Sequence, residues 1–277
     1  MNYSSKNNIK YFIPPVLIDA YRYLRGTDIR FSGVYGSWDE AMAHASGYDS
    51  EIIVEKVKDA LLKVQRGEAV YERDSVVFHR SEYPFPLLAA LLRSALVNGG
   101  ELNVLDYGGS LGSTYFHLRK FLPEIKLLRW NIVEQSIFVR YGKRFFENDE
   151  LNFFDNFDLC IKDNRPDIVI LSGVLQYIED PYGLLDKIAN LDIRSIVIDR
   201  TPFSDANSDI LTIEIVPSSI YQASYPFWIF NDKILLAQLR RNYNYIAEFP
   251  AIDGMMKHAN LTIYFKGHIF ESKLFSK

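Results

Sequence analysis

Apolar positions along this chain fall into two textures. As far as about residue 98 they recur at helical spacing, and after Gly100 short apolar runs alternate with helical patterns. In the first part, "VLIDAYRYLRG" follows Pro14–Pro15 and stops at Gly26, which predicts a helix with a proline start and a glycine stop. "SWDEAMAHAS" offers Ser37 as an N-cap with Glu40 three residues on as its capping-box partner. "DSEIIVEKVKDALLKVQRG" places Ile53, Val57, Leu61 and Val64 on one helix face and stops at Gly67. "FPLLAALLRSALVNGG" is a more apolar helix ending in two glycines. Between these helices, "EAVYERDSVVFHRSEYPFP" mixes aromatic and charged residues without a period. It reads as a long ordered loop, and such loops in compact domains tend to be functional.

The second part runs "NVLDYGG", "STYFHLRKFL", "LLRWNIVEQ", "IFVRYGKRFF", "LNFFD", "PDIVILSGVL", "PYGLLDKIANL", "SIVIDRTPF" and the helical "NDKILLAQLRRN". That alternation predicts right-handed βαβ units and a parallel, doubly wound sheet with helices on both faces. Two more strand-like runs, "YNYIAEFPA" and "NLTIYFKGHIFE", close the chain with only "IDGMMKHA" between them. A linker that short suits no helical crossover, so the last pair is expected to be antiparallel. The expected organisation is a helical N-terminal cap over residues 1–98 and an α/β domain over 99–277.

Composition narrows the function. The chain has 277 residues, 48% hydrophobic and 24% charged, enough apolar material for a sizeable core. Its net charge is −4 and no basic stripe is present, which argues against a nucleic-acid partner. The single cysteine, Cys160 in "FDLCIKD", reads as a small buried apolar residue and suits a reducing compartment. No apolar run approaches the roughly 18 residues of a membrane span, and the first residues lack a secretory pattern. The expectation is a cytoplasmic protein with no transmembrane segment. No H-x-x-x-H or C-x-x-C spacing appears, so no metal is expected.

The stretch "VLDYGGSLGSTYFHL" carries the most chemistry. A strand ends in Asp106 and Tyr107, turns through Gly108, Gly109, Ser110 and Gly112, and enters a helix, so backbone N–H groups can approach a ligand. The spacing departs from the G-x-G-x-x-G of dinucleotide folds. An aspartate beside a pyrophosphate is repulsive, whereas the ammonium of S-adenosylmethionine welcomes it. Glu134, with Gln135 beside it, ends the second strand a little beyond the roughly 20-residue spacing of an acid that holds ribose hydroxyls. That role serves NAD and S-adenosylmethionine alike. Asp155, after "LNFF", is a candidate for the adenine amino group. Ser172, Gly173, Gln176 and Tyr177 follow the fourth strand, at the edge where open α/β sheets place ligands.

In this order, "DYGGSLG", "EQ" and "DIVILSGVLQYIEDP" resemble class I S-adenosylmethionine-dependent methyltransferases. The chain is similar, more narrowly, to methyltransferases of bacterial polysaccharide and O-antigen gene clusters. That group shares Pro14–Pro15, "GYD" at 47, "YERD" at 71 and "YPFWIF" at 225, so the resemblance covers nearly the whole chain. It implies a Rossmann-like sheet with a C-terminal antiparallel pair and a small acceptor, a sugar or nucleotide sugar, methylated at oxygen. The middle glycine of the usual G-x-G-x-G is Ser110 here.

A hydroxyl acceptor needs a general base within reach. His79, which follows the aromatic loop, and Asp199, at the end of the fifth strand, are the candidates. Arg73 and Arg200 are each either half of an ion pair with the neighbouring Asp74 or Asp199, or a clamp for an anionic acceptor. Tyr225 and Trp228 are either core or the stiff walls of a sugar site. Two rivals stand beside this reading: an NAD(P)-dependent oxidoreductase and a non-catalytic S-adenosylmethionine-binding protein. The oligomeric state has no signature in the sequence.

Overall fold

The computed structural model describes residues 30–47, 50–80, 82–163, 165–217, 223–258 and 261–275. The helix expected over residues 16–26 lies outside them. The first described element is a strand, β1 (Arg30–Tyr35), followed by α1 (Trp38–His44) and α2 (Ser50–Gln65). Ser37 caps α1 as its sequence implies, its Oγ accepting from the Glu40 amide at 3.2 Å. Glu40 returns the bond one residue further out, to the Gly36 amide at 2.8 Å. A two-stranded hairpin, β2 (Tyr71–Arg73) and β3 (Val76–Phe78), and the helix α3 (Phe85–Val97) complete the N-terminal part.

Beyond Gly100 the expected alternation is present. The strands β4 (Glu101–Tyr107), β5 (Leu127–Val133), β6 (Leu151–Phe154), β7 (Ile168–Ser172) and β8 (Ser195–Ser204) are parallel and lie in the order β6-β5-β4-β7-β8. Their crossovers carry α4 (Ser113–Leu118), α5 (Ser136–Phe145), α6 (Phe157–Asp163) and α7 (Pro181–Ala189). After β8 the chain makes β9 (Ile210–Val216), β10 (Ala223–Asn231) and α8 (Asp232–Leu239), then β11 (Tyr243–His258) and β12 (Leu261–Ser272). The last strand is antiparallel to β8 and sits between it and β11. Of the seven strands from β4 to β8 and the final pair, the spatial order is third, second, first, fourth, fifth, seventh, sixth. This is a Rossmann-like doubly wound sheet with the C-terminal antiparallel pair, the fold of class I methyltransferases.

Both faces of the sheet are covered, which is why its strands read as continuous apolar runs. Along β7, Ile168 and Ile170 face one layer while Val169 and Leu171 face the other. The first layer includes Val54, Val57 and Leu61 from α2 and Leu87, Leu88 and Leu91 from α3, packed with Leu102, Val104, Leu128 and Trp130. The second gathers α6, α7 and α8, with Cys160 fully inside it. Burial pushes that thiol up to about 12, so Cys160 is an apolar filler.

Three expectations change. The N-terminal part is helical in its longer elements but also supplies strands. β1 pairs antiparallel with β9, which pairs with β10, and β10 joins β8 beyond the end of β7. β1 shows little alternation because only Phe31 is buried in it, and its partner lies some 180 residues away. The stretch read as a loop contains the β2–β3 hairpin, three residues per strand and too short for a period. Its turn residues, Asp74 and Ser75, both have positive φ, 51° and 66°, as a tight two-residue hairpin requires. Of the run "IDGMMKHA", read as a linker, Ile252–His258 belong to β11, the first three of them in the bulge between Pro250 and Met255.

Because α2 and α3 fill the same layer as the sheet, a chain of residues 101–277 alone would expose that layer. It should fail to unfold cooperatively in urea. In the full chain, Leu91→Ala should cost about 2–5 kcal/mol. A soluble, cooperatively unfolding 101–277 fragment would show that the sheet does not depend on these helices.

Candidate functional site

The glycine turn is held in place before any ligand is considered. Gly108 has φ 73° and donates its amide to the Val133 carbonyl at 2.9 Å. A Cβ there would stand 2.4 Å from Val174 Cγ2, so only glycine fits between β4 and the turn after β7. A Cβ on Gly109 would stand 2.6 Å from the Asp106 carboxyl carbon. Ser110 adopts φ 55° and Gly112 φ 96°, where glycine is the easier residue. The turn therefore brings backbone against the Asp106 carboxyl and opens onto the N-terminus of α4.

Three carboxylates surround that turn. Asp106 is 1% exposed and accepts from the Trp130 indole Nε1 at 3.0 Å. Burial raises its carboxyl to about 7, against the pull of that indole, and the charge of Glu134 adds to the rise. Glu134, at the end of β5, accepts from the Gln135 amide at 2.6 Å and from the Ser110 amide, and burial raises it too. It thus ties the second strand to the glycine turn. The third is Glu72 of β2, whose Oε1 accepts from the Ser113 hydroxyl at the first residue of α4, while Oε2 accepts from the Ser75 amide at 3.2 Å. Glu72 is 5% exposed, and burial raises it to about 7.

A second group lies where β7 ends against the middle of β8. Asp199 and Arg200 are therefore not at the end of their strand, as the sequence suggests, but within it, β8 running on to Ser204. The turn after β7 is fixed by the Gly173 amide, which donates to the Asp199 carbonyl at 2.9 Å. Arg200 has φ 52° and sends its guanidinium in two directions. Nε and Nη2 reach Asp253 in the β11 bulge at 2.9 and 3.1 Å, and Nη2 also reaches Asp74 at the hairpin tip at 2.6 Å. Gly173 leaves room for it, since a Cβ there would meet Arg200 Nη1 at 3.4 Å. Asp199 is buried, accepts from the Arg200 amide at 2.8 Å, and is raised by burial to about 6 even with Arg200 beside it. Glu214 of β9 is 4% exposed, takes hydrogen bonds from Tyr177 Oη at 2.9 Å and from Tyr225, and is raised by burial to about 7. Gln176 donates Nε2 to the Arg200 carbonyl at 3.3 Å, and its buried Oε1 has no partner among the described residues.

The structure gathers many of the residues singled out from sequence and scatters others. Asp106, Gly108, Gly109, Ser110, Gly112 and Glu134 share the β4–β5 edge. Tyr107 packs edge-on to Phe157, and Asp155 is exposed just past β6. Ser172, Gly173, Gln176 and Tyr177 meet Asp199 and Arg200. Tyr225 stands edge-on to Tyr177 at 5.2 Å. Trp228 is fastened by its Nε1 to the Ile178 carbonyl at 3.1 Å and stacks on Trp38, which makes it a joint between β10 and α1. Arg73 lies over the Phe78 ring, on the strand face opposite Glu72. His79 is exposed beyond β3 and has no hydrogen bond, ion pair or ring contact among the described residues. Arg200 is engaged by two carboxylates, so the ion-pair alternative describes it, with partners other than Asp199.

Glu72, Glu214 and Asp253 were not singled out from sequence. Glu214 left a signal, an acid inside the apolar run "ILTIEIV". Away from this edge, Asp232, Glu248 and His268 bring one ligand atom each within 4.8 Å of one another. Lys266 Nζ stands 2.9 Å from Asp232 and 3.5 Å from Glu248, supplying the positive charge that pair needs.

No family model matches the sequence, nor does any curated protein. Among solved structures the chain is similar to the N-terminal domain of EvdMO1, crystallised in the presence of SAH and D-fucose. The identity is 14% over 82% of this chain and 98% of that one, with a TM-score of 0.48. It is also similar to the N-methyltransferase NodS from Bradyrhizobium japonicum WM9 in complex with S-adenosyl-L-homocysteine, at 12% identity over 76% and 97% of the two chains and a TM-score of 0.41. A third is the glycopeptide N-methyltransferase MtfA complexed with sinefungin, at 14% identity over 63% and 90%, with a TM-score of 0.40. At these identities the likeness concerns the fold alone.

The raised carboxyls set a pH dependence. Glu72, Asp106, Glu214 and Asp199 bind protons more tightly folded than unfolded, so their contribution is present in acid and is lost as pH rises through about 6–7. Asp232, held down to about 2, titrates below that window. The melting temperature should therefore fall between about pH 5 and pH 8, and Glu214→Gln should flatten part of the slope. A melting temperature that rises across this range in the wild-type chain would contradict the assignment.

Proposed function

We propose that the protein is an S-adenosylmethionine-dependent methyltransferase acting on a small-molecule acceptor. The observation that carries this reading is the sign of the charge at the glycine turn. Asp106, Glu134 and Glu72 converge on the turn and the N-terminus of α4, the place where a dinucleotide fold receives a pyrophosphate. Carboxylates there repel a pyrophosphate and suit a ligand with an ammonium, a sulfonium and two ribose hydroxyls. Asp106 and Glu72 argue against an NAD(P)-dependent oxidoreductase, whereas Glu134 would serve either ligand.

The donor set fits that ligand residue by residue. In this reading Asp106 takes the ammonium end and Glu134 the ribose hydroxyls, with Tyr107, Gly108, Gly109, Ser110, Gly112 and Gln135 forming the turn and its flank. Asp155 is the candidate for the adenine, and Ser172, Gly173, Gln176 and Tyr177 form the opposite wall. When bound, the cofactor supplies an activated methyl group on sulfur. The chain's own part is to exclude water, align the acceptor and receive a proton. Asp199, Glu72 and Glu214 are the groups at this edge able to take one, since each is buried and poised between about 6 and 7. His79 takes no such role in this reading. The resemblance to polysaccharide-cluster methyltransferases supports a sugar or sugar precursor as acceptor.

Calorimetric titration of the full chain with S-adenosylhomocysteine is the direct test. Asp106→Asn and Glu134→Ala should each weaken binding about tenfold to a hundredfold, the value of one charge-assisted hydrogen bond. Titration with NAD should give no heat of binding. Unchanged affinity in both folded variants, or tight NAD binding, would sink the reading.

A further inference from the structure

The edge of the sheet that faces this cofactor place is lined almost wholly with hydrogen-bond acceptors. Glu72, Asp199 and Glu214 are each about 95% buried, and Asp74 and Asp253 stand beside them on Arg200. Arg200 pairs with Asp74 and Asp253 only, so Glu72, Asp199 and Glu214 have no ion pair of their own among the described residues. The other nearby cation, Arg73, lies over Phe78 on the opposite face of β2. The protein's own donors, Ser113, Ser75, Tyr177 and Tyr225, occupy only part of the acceptor capacity of Glu72 and Glu214.

An independent observation points the same way. Gln176 is 3% exposed and is anchored by Nε2 to the backbone carbonyl of Arg200, the residue after Asp199. Its Oε1 has no donor among the described residues. Buried acceptors without a donor are rare in folded proteins, and one at the edge of a ligand site calls for a donor from the ligand. An anionic acceptor is excluded by charge, and a hydroxyl brings one donor and no charge. An ammonium brings three donors and the missing positive charge.

We propose that the methyl acceptor is an amine, bound as its cation among Glu72, Asp199, Glu214 and the Oε1 of Gln176, so that a nitrogen and not an oxygen is methylated. This rests on the methyltransferase reading above. The bound ammonium gives one proton to a carboxylate of this group and becomes a neutral amine. The nitrogen lone pair then forms the new C–N bond while the electron pair of the broken C–S bond stays on sulfur, which passes from sulfonium to thioether. The product leaves as a methylated ammonium, and the carboxyl returns its proton to solvent.

The test uses the full chain saturated with S-adenosylhomocysteine and the side-chain amide signal of Gln176 in an NMR spectrum, assigned by its loss in Gln176→Glu. The probes are D-glucosamine, D-galactosamine and D-mannosamine, the matching neutral sugars, and D-glucuronate. At least one amine should shift the Gln176 signal with an apparent affinity at least about tenfold above its hydroxyl partner. Glu72→Gln and Glu214→Gln, measured singly and together, should shrink that preference. Neutral sugars or glucuronate that shift Gln176 as strongly as the amines would overturn the proposal, and so would amines that leave it unmoved. Failure of S-adenosylhomocysteine to shift the backbone amides of residues 108–112 would instead overturn the methyltransferase reading itself.

Discussion

The guanidinium of Arg200 joins three parts of the chain that nothing else brings to one point. It stands in the middle of β8, just past the end of β7, and its partners are the tip of the β2–β3 hairpin and the bulge of β11. Asp253 and Arg200 are each about a fifth exposed, so their pair is worth more than a surface bridge, while Asp74 is largely exposed and contributes less. The backbone is left-handed at Arg200 and, in the hairpin turn, at Asp74. Strain of that kind persists only where surrounding structure enforces it. The enforcing structure here is the packing of the hairpin on α4, through the Glu72–Ser113 bond and the stacking of Tyr71 on His117 at 4.4 Å.

With Arg200 so engaged, the N-terminal part becomes a wall of the site. The hairpin delivers Glu72 to the start of α4, and β1 and β9 deliver Glu214 to the turn after β7. Both acids arrive from outside the doubly wound sheet, while Asp106, Glu134 and Asp199 belong to it. The site is therefore divided between an inner set that depends on the strand ends and an outer set that depends on the added elements. Substitutions in one set should leave the other in place, provided that Arg200 keeps its partners.

What the sequence reveals follows from the range of each interaction. The glycine turn, Glu134 and the end of β7 were legible because each lies where a local pattern changes, from strand period to turn to helix. The capping of α1 was legible for the same reason. The partners of Arg200 were not, since Asp74 and Asp253 lie 126 and 53 residues away. Nor was β1, whose strand character comes from pairing with β9 and not from its own alternation. His79 drew attention as a histidine in an aromatic loop, yet β3 is too short to carry it inward. The acid that does face inward, Glu72, is one residue of "YERD", where alternation on a three-residue strand cannot be read without its partner.

Burying this many carboxylates at one edge has a consequence for how the site selects its ligand. Burial raises these acids first, and neighbouring charge adds to it, as Glu134 does to Asp106 across the glycine turn and as Asp74 does to both Glu72 and Glu214. Asp106, Glu72 and Glu214, each raised to about 7, sit where a small change in local charge converts one into a base or an acid. An arriving cation favours their ionised forms, and an arriving anion would drive them to bind protons instead. Charge selection and proton acceptance then rest on the same atoms. A cationic ligand prepares its own base by binding, whereas an anion would find the carboxyls protonated and unable to receive anything from it. The acidity of this edge is thus a matter of chemistry as well as of recognition, and it follows from burial, which the hairpin and β9 impose.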